Sequence, residues 1–133
     1  MIALLTAINI IAATNMQRAV NNLPPLVENS RLDVAANRKA VDMASKQVFD
    51  HYYGKTTPWE FIEGEHYCYK TAGENLAVLF TDPNKVVEAW MASPKHKDNL
   101  LGDYQDIGIS IVPGFYKGYK TFYIVQMFGK RCN

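Results

Sequence analysis

Apolar residues recur at helical spacing in the first part of the chain and alternate with smaller residues near its end. Two long helices are predicted first, one from about Met1 to Asn22, which Pro24-Pro25 ends, and one from near Ser30 to near Phe49. In the first helix, Leu4, Ile8, Ile11 and Asn15 recur at helical spacing. The predicted apolar stripe of the second helix is Leu32, Ala35, Ala36, Ala40, Met43 and Ala44, with Ser30 and Asp33 as a capping pair at its start.

Three shorter helices are indicated by a capping residue that directly precedes a proline. Thr57-Pro58-Trp59-Glu60 has the pattern of a capping box with proline at the first helical position, and Gly64 suits the end of that helix. Asp82-Pro83 begins a fourth helix in the same way. Ser93-Pro94 caps a fifth helix that ends near Gly102.

Strand signals are strongest at the C-terminal end. Ile107, Ile109 and Ile111 alternate with smaller residues, 120–128 forms a second strand, and 113–118 supplies the turn of a hairpin between them. The segment from His66 to Phe80 is predicted to be a strand or an extended loop. Because the helices come first and the clear hairpin last, the pattern predicts an α+β domain with helices packed on an antiparallel sheet.

Composition is that of a single globular domain. The 133 residues are 48% apolar and 20% charged, and neither a repeat nor a linker divides them. The net charge of +1 and the scattered basic residues do not point to nucleic acid or to an anionic membrane. The apolar stretch from Ile2 to Ala13 is interpreted as a packed first helix, because it lacks the basic residues that precede a signal-peptide core and is too short for a transmembrane segment.

The two cysteines, Cys68 and Cys132, leave two alternatives open. They form one disulfide that closes a long loop, or they are two buried free thiols. We favour the disulfide, which stabilises by roughly 4 kcal/mol in the chain-entropy model. Their spacing fits neither a zinc ribbon nor a CxxC redox motif.

The candidate chemistry rests on histidines and one carboxylate. His51 follows the second helix, Glu74 lies between small residues, and His96 is the third residue of the fifth helix, where the helix dipole favours the neutral ring. Two neutral imidazoles near a carboxylate suit a divalent cation, or a water activated by acid and base. His66 is interpreted as an exposed loop residue.

An ordered set of motifs covers essentially the whole chain. The set consists of Asn15 and Arg18 with Leu23-Pro24-Pro25-Leu26, Phe49-Asp50-His51, Gly73-Glu74-Asn75-Leu76-Ala77, residues 90–101 from Trp90 to Leu101, Tyr104 with Ile107-Gly108-Ile109, and 126–129. It resembles the CAP domains of cysteine-rich secretory, antigen 5 and pathogenesis-related proteins (SCP-like domains), in their bacterial form. Each motif alone is weakly specific, whereas the order is a strong signal.

The resemblance implies a single CAP domain over 1–133, folded as a three-layer α-β-α sandwich around a central antiparallel sheet. It implies a cleft in which His51, Glu74 and His96 match three of four family positions, while Ser93 stands where a second acid is usual. His51 and His96 are the candidate metal ligands, and Glu74, Ser93, Tyr52 and Asn75 are expected to line the cleft. Ser93 is interpreted as a helix cap and Trp90 as a core residue.

The function that the resemblance implies is a secreted binding module whose cleft takes a divalent metal such as zinc or a small lipid- or sterol-like ligand. The alternative is a metal-assisted hydrolase or peptidase with His51, Glu74 and His96 as its catalytic residues, so enzymatic activity stays an open question. A cleft without function is the third possibility. A lipid, sterol or cell-surface partner, a monomeric state and a location outside the cell or in its envelope, with a leader removed, complete these expectations.

Overall fold

A four-stranded sheet separates two layers of helices in the computed structural model, which describes residues 3–133. The helices are α1 (Ala7–Val20), α2 (Ser30–Lys46), α3 (Pro58–Gly64), α4 (Pro83–Met91) and α5 (Pro94–Leu100). The strands are β1 (Val27–Glu28), β2 (Tyr69–Ala77), β3 (Asp106–Tyr116) and β4 (Tyr119–Arg131). This arrangement confirms the α-β-α sandwich.

The sheet has the strand order β1-β3-β4-β2. Its three long strands pair antiparallel, as predicted, and the segment that the sequence left as strand or loop is the edge strand β2. The two-residue β1 pairs parallel with β3 and was not predicted, because so short a strand has no detectable periodicity. The hairpin turn is tighter than expected: Lys117 and Gly118, both with positive φ, connect Tyr116 to Tyr119.

Each face of the sheet carries its own apolar core. On one face, α2 and α3 cover the sheet, and the buried residues of α2 include the predicted stripe from Leu32 to Met43. On the other face, α1, α4 and α5 pack against Ile107, Ile109 and Ile124. Trp90 lies in this second core at 2% exposure, as expected.

Helix α1 differs from its prediction in both its start and its buried face. It begins at Ala7, where the Thr6 hydroxyl accepts a hydrogen bond from the Asn9 amide; the predicted first residues Met1 and Ile2 lie outside the described residues. Leu4 and Ile8 are exposed.

The buried face of α1 consists of Ile10, Thr14 and Arg18. Polar contacts decide it: the Arg18 guanidinium donates to the carbonyls of Pro24, Leu100 and Gly102. The bonds to Leu100 and Gly102 join parts of the chain more than 80 residues apart, so a local apolar pattern cannot predict them.

Helix capping follows the predicted positions only in part. Asn29, not Ser30, caps α2, because its side-chain oxygen accepts from the amides of Arg31 and Leu32. Thr57 precedes α3 without a side-chain capping bond, so the predicted capping box does not form. Asp82 does cap α4, through a 2.8 Å hydrogen bond from the Asn84 amide.

The two cysteines form a disulfide, so the free-thiol alternative is wrong. Cys68 and Cys132 lie 5.4 Å apart between Cα atoms and join the start of β2 to the end of β4. The Cys132 amide also donates to the Cys68 carbonyl. Among residues 3–133, no helix is long and apolar enough to cross a bilayer.

Candidate functional site

Three elements bring His51, Glu74 and His96 together. His51 lies in the turn after α2, Glu74 on β2 and His96 on α5. The ring centroids of the two histidines are 6.4 Å apart, and His51 Nδ1 is 2.8 Å from Glu74 Oε1. The grouping that the sequence suggested is therefore a spatial cluster.

Glu74 lies at the bottom of this cluster, with its side chain only 1% exposed. Its Oε1 contacts His51 Nδ1, while its Oε2 has no hydrogen-bond partner among residues 3–133. The preceding glycine allows α5 to approach, because a Cβ on Gly73 would lie 2.7 Å from the Tyr104 hydroxyl and 2.9 Å from Asn99 Oδ1. Gly73 therefore lets α5 pack closely on β2, directly above the Glu74 carboxylate.

Lys39 is a member of the cluster that sequence reasoning missed. Its ammonium group is fully buried, donates to the His51 carbonyl at 2.7 Å and lies 3.4 Å from Glu74 Oε1. Burial lowers the pKa of Lys39, and the Glu74 carboxylate opposes this shift. The sequence did indicate that Lys39 is buried, because it falls on the apolar stripe of α2 between Ala36 and Ala40.

Ser93 does not cap α5, contrary to expectation. Its hydroxyl makes no capping hydrogen bond and lies 2.9 Å from His96 Nδ1 instead. The pKa of His96 is lowered, first by burial and second by the neighbouring His51. A neutral ring was expected from the helix dipole, whereas the causes in the structure are burial and the neighbouring His51.

Two asparagines fix α5 against β2 behind the cleft. Asn75 Nδ2 donates to the His96 carbonyl at 3.2 Å and to Gln126 Oε1 at 3.0 Å. Asn99 Nδ2 donates to the Glu74 carbonyl and to Asn75 Oδ1. Asn75 is fully buried, so it supports the cleft from behind rather than lining it.

The cleft itself is open to solvent. The part between His51 and α5 has a volume of ≈ 420 Å³ and is lined by His51, Glu74, Ser93, Pro94, Lys95, His96 and Asn99. A second part continues toward the half-exposed Tyr52, whose hydroxyl accepts a hydrogen bond from Trp59 Nε1 at 3.1 Å. His66 is exposed and lies outside the cleft.

The residues of this cluster that could hold a metal ion are His51 and His96. The Nδ1 of His51 contacts Glu74 Oε1 and the Nδ1 of His96 contacts Ser93 Oγ, so a metal could be reached only through Nε2 of each ring. Within the described residues, no group of three or more His, Cys, Asp or Glu side chains is placed to hold a metal. Water or a ligand would therefore have to supply the remaining coordination positions.

Comparison with known proteins places the chain in one family. The model of the cysteine-rich secretory protein family, CAP, matches residues 11–128. The uncharacterised protein YkwD of Bacillus subtilis is 36% identical over 107 residues, which are 77% of this chain and 41% of that protein. The uncharacterised membrane protein YlbC of the same organism is 29% identical over 111 residues, 80% of this chain and 32% of that protein. The chain thus spans less than half the length of these curated relatives.

Solved structures agree with this assignment. An outer surface protein of Borrelia burgdorferi superposes with a TM-score of 0.81 at 25% identity, covering 99% of this chain and 100% of that one. An extracellular protein with an SCP domain from Bacillus anthracis gives 0.77 at 25% identity, over 92% of this chain and 39% of that one. A cysteine-rich secretory protein of Staphylococcus aureus shares the fold with a TM-score of 0.68 at 23% identity, over 93% and 38% of the two chains. This chain belongs to the cysteine-rich secretory protein (CAP) family.

Proposed function

We propose that this CAP domain is an extracellular binding module whose cleft holds a divalent cation of the zinc type between His51 and His96. The extracellular location is supported by two of the structural neighbours, one described as an outer surface protein and one as extracellular. The exposed disulfide fits the same setting, because such bonds persist in oxidising compartments.

The observation that carries the proposal is the paired anchoring of the two imidazoles. His51 Nδ1 is 2.8 Å from Glu74 Oε1 and His96 Nδ1 is 2.9 Å from Ser93 Oγ. A hydrogen bond at Nδ1 fixes each ring and, where Nδ1 carries the proton, leaves the lone pair on Nε2. Zinc–nitrogen bonds are about 2.0–2.1 Å long, so two imidazoles that share one tetrahedral ion through Nε2 have ring centroids roughly 5–5.5 Å apart. The observed separation of 6.4 Å is about 1 Å longer, so zinc binding requires the two rings to approach each other by that amount.

The surroundings favour an ion held by histidine alone. Glu74 is buried beneath His51, and the Lys39 ammonium next to it offsets its charge. A bound ion would therefore keep open positions, through which it acts as a Lewis acid or takes a donor atom from a further ligand. A lipid- or sterol-type ligand that entered the same cleft would compete with zinc for it.

Binding is favoured over hydrolysis because Glu74 is poorly placed to activate water. Its side chain is 1% exposed, and its Oε1 is already shared between His51 and Lys39. One observation favours a hydrolase, namely the contact between the Ser93 hydroxyl and His96. The lowered pKa of His96 makes this ring a weaker base, so we rank hydrolysis second.

Calorimetric titration with zinc chloride tests the proposed site. We expect the native protein to bind one ion, and His51→Ala or His96→Ala to weaken binding by tenfold or more. His66→Ala is the matched control, because this third histidine is exposed and outside the cleft. No heat of binding at millimolar zinc, or full affinity in the double variant His51→Ala/His96→Ala, would overturn the proposal.

The hydrolase alternative is tested separately with a library of peptide and ester substrates. Turnover that disappears in Ser93→Ala and in His96→Ala would favour the second candidate over the first. Turnover that survives both changes would show that neither residue is catalytic.

A further inference from the structure

The far end of the β3–β4 hairpin exposes a group of large apolar side chains that the cleft does not use. Phe115 is 55% exposed, Tyr119 67%, Phe122 38% and Leu79, from the loop after β2, 57%. Leu79, Tyr119 and Phe122 line one groove with Pro113, and its volume is ≈ 360 Å³. We call Leu79, Pro113, Phe115, Tyr119 and Phe122 the hairpin patch.

Strand register explains why much of this patch is uncovered. Pro113 pairs with Phe122 and Phe115 with Lys120, so these four side chains share one face of the hairpin. Counting by twos along β3, it is the face on which Ile107 and Ile109 form the second core. The layer of α1, α4 and α5 covers that core but leaves the hairpin end exposed.

Leu79 is held outward by an unusual backbone conformation. Its φ is +67°, in the left-handed region that side chains other than glycine rarely adopt. The Leu79 amide donates a 2.7 Å hydrogen bond to the Thr121 hydroxyl, which fixes this loop against β4. A strained position that keeps an apolar side chain exposed is consistent with a contact surface at this end of the sheet.

Between Ile107 and Arg131 the hairpin carries only positive charge. Residues 107–131 contain Lys117, Lys120, Lys130 and Arg131 and no aspartate or glutamate. Lys117 and Lys120 make no salt bridge within residues 3–133, whereas Lys130 and Arg131, at the other end of the hairpin, are paired with aspartates. The overall charge of +1 conceals this local excess, because the acidic residues lie elsewhere in the chain.

We propose that the hairpin patch docks on an anionic lipid surface, with the apolar side chains at the interface and Lys117 and Lys120 beside the headgroups. Aromatic side chains flanked by lysine are the combination that bilayer interfaces favour, and each lysine near an anionic surface strengthens binding several-fold. The cleft stays accessible in this orientation, since Met127, the partner of Glu74 in the sheet, is about 27 Å along β4 from Tyr119.

Sedimentation with lipid vesicles tests this docking surface. We expect the native protein to sediment with vesicles of phosphatidylglycerol and phosphatidylcholine at low salt, and much less with phosphatidylcholine alone. Phe115→Ser/Phe122→Ser should weaken partitioning about tenfold or more, because it removes the apolar contact. Lys117→Gln/Lys120→Gln should weaken it by about tenfold and reduce its salt dependence.

Matched controls separate the patch from general effects. Ile8→Ser/Val20→Ser removes two apolar side chains that are each 74% exposed on α1, and Lys55→Gln/Lys70→Gln removes the same charge elsewhere. Both control variants should bind vesicles like the native protein, and thermal unfolding checks that every variant is folded. Absence of binding to anionic vesicles, equal binding by the patch variants, or a dimer that Phe115→Ser/Phe122→Ser dissociates would overturn the proposal.

Discussion

Lys39 Nζ lies 3.4 Å from Glu74 Oε1, and neither side chain is more than 1% exposed. A buried ion pair of this kind contributes little net stability, but removing one partner leaves an uncompensated charge in a medium of low dielectric constant. The ammonium group also donates to the His51 carbonyl, so one side chain of α2 supports two of the three cleft residues. The cleft is therefore coupled to the core beneath it.

The first prediction concerns this ion pair. Lys39→Met should lower the free energy of unfolding by about 3–5 kcal/mol, because Glu74 loses its partner inside the core. Urea denaturation measures the change. Lys46→Met is the control on the same helix, where the pair with Asp42 is exposed to solvent, and it should cost less than about 1 kcal/mol.

A double variant distinguishes lost charge from lost packing. Lys39→Met/Glu74→Gln should recover part of the stability that Lys39→Met loses, because the remaining buried group is neutral. If the free energy of unfolding of Lys39→Met lies within about 1 kcal/mol of that of the native protein, Lys39 and Glu74 do not form a buried charge pair.

The second prediction separates the role of Ser93 from that of a helix cap. Ser93→Ala should change stability by less than about 0.5 kcal/mol, since its hydroxyl makes no capping bond, but it should weaken zinc binding because His96 loses its anchor. Asp82→Ala is the matched comparison, because Asp82 caps α4 and its loss should cost about 1 kcal/mol. Equal destabilisation in the two variants would argue that Ser93 caps α5 after all.

The third prediction concerns the contact of α2 with β3. A Cβ on Gly108 would collide with the backbone of Leu32 and Asp33, which no side-chain rotation can relieve. Gly108→Ala should therefore cost more than about 3 kcal/mol, or prevent folding, because the start of α2 must move away from the sheet.

Gly114→Ala provides the comparison on the same strand. There the added methyl would lie 3.1 Å from Tyr123 Cε1 and 3.2 Å from the Ala44 Cβ, which are side-chain atoms. Gly114→Ala should lower the free energy of unfolding by about 1 kcal/mol, because the neighbouring side chains can shift to accommodate one methyl group. Chemical denaturation of both variants checks the order, and a Gly108→Ala protein as stable as Gly114→Ala would contradict it.

The fourth prediction concerns pH. The pKa of His96 is lowered from 6.5, first by burial and then by His51, so at pH values just below 6.5 the unfolded chain binds more protons than the folded one. The free energy of unfolding should fall as the pH is lowered through this range, and the fall should stop below the folded-state pKa.

A variant comparison isolates this contribution. The pKa of Asp33 is raised from 3.8 to about 6 by burial and by Glu28, which gives a pH dependence of opposite sign between these two values. Taking the difference between the native protein and His96→Gln cancels the Asp33 contribution. Parallel stability profiles for the native protein and His96→Gln would show that His96 is not buried as described.

The sequence by itself determined the five helices and the C-terminal hairpin, the family, and the grouping of His51, Glu74 and His96. Helix starts at Pro58, Pro83 and Pro94 and the alternation of Ile107, Ile109 and Ile111 are local signals, because proline and β-branched residues restrict their own backbone. The Gly73-Glu74-Asn75 motif and the two histidines identified the site because their order along the chain resembles a known family.

Only the tertiary structure decided which polar groups these elements bury and bind. Two such contacts join residues far apart in the chain: Arg18 with the Leu100 carbonyl, and Lys39 with Glu74. A third is a choice between two hydrogen-bond partners, because the Ser93 hydroxyl contacts His96 instead of capping α5. Local propensity carries no information about such partners, since a buried charge is acceptable only where the fold supplies its hydrogen bonds. The exposed apolar end of the β3–β4 hairpin likewise depends on tertiary structure, because it is set by which part of the sheet the helices cover.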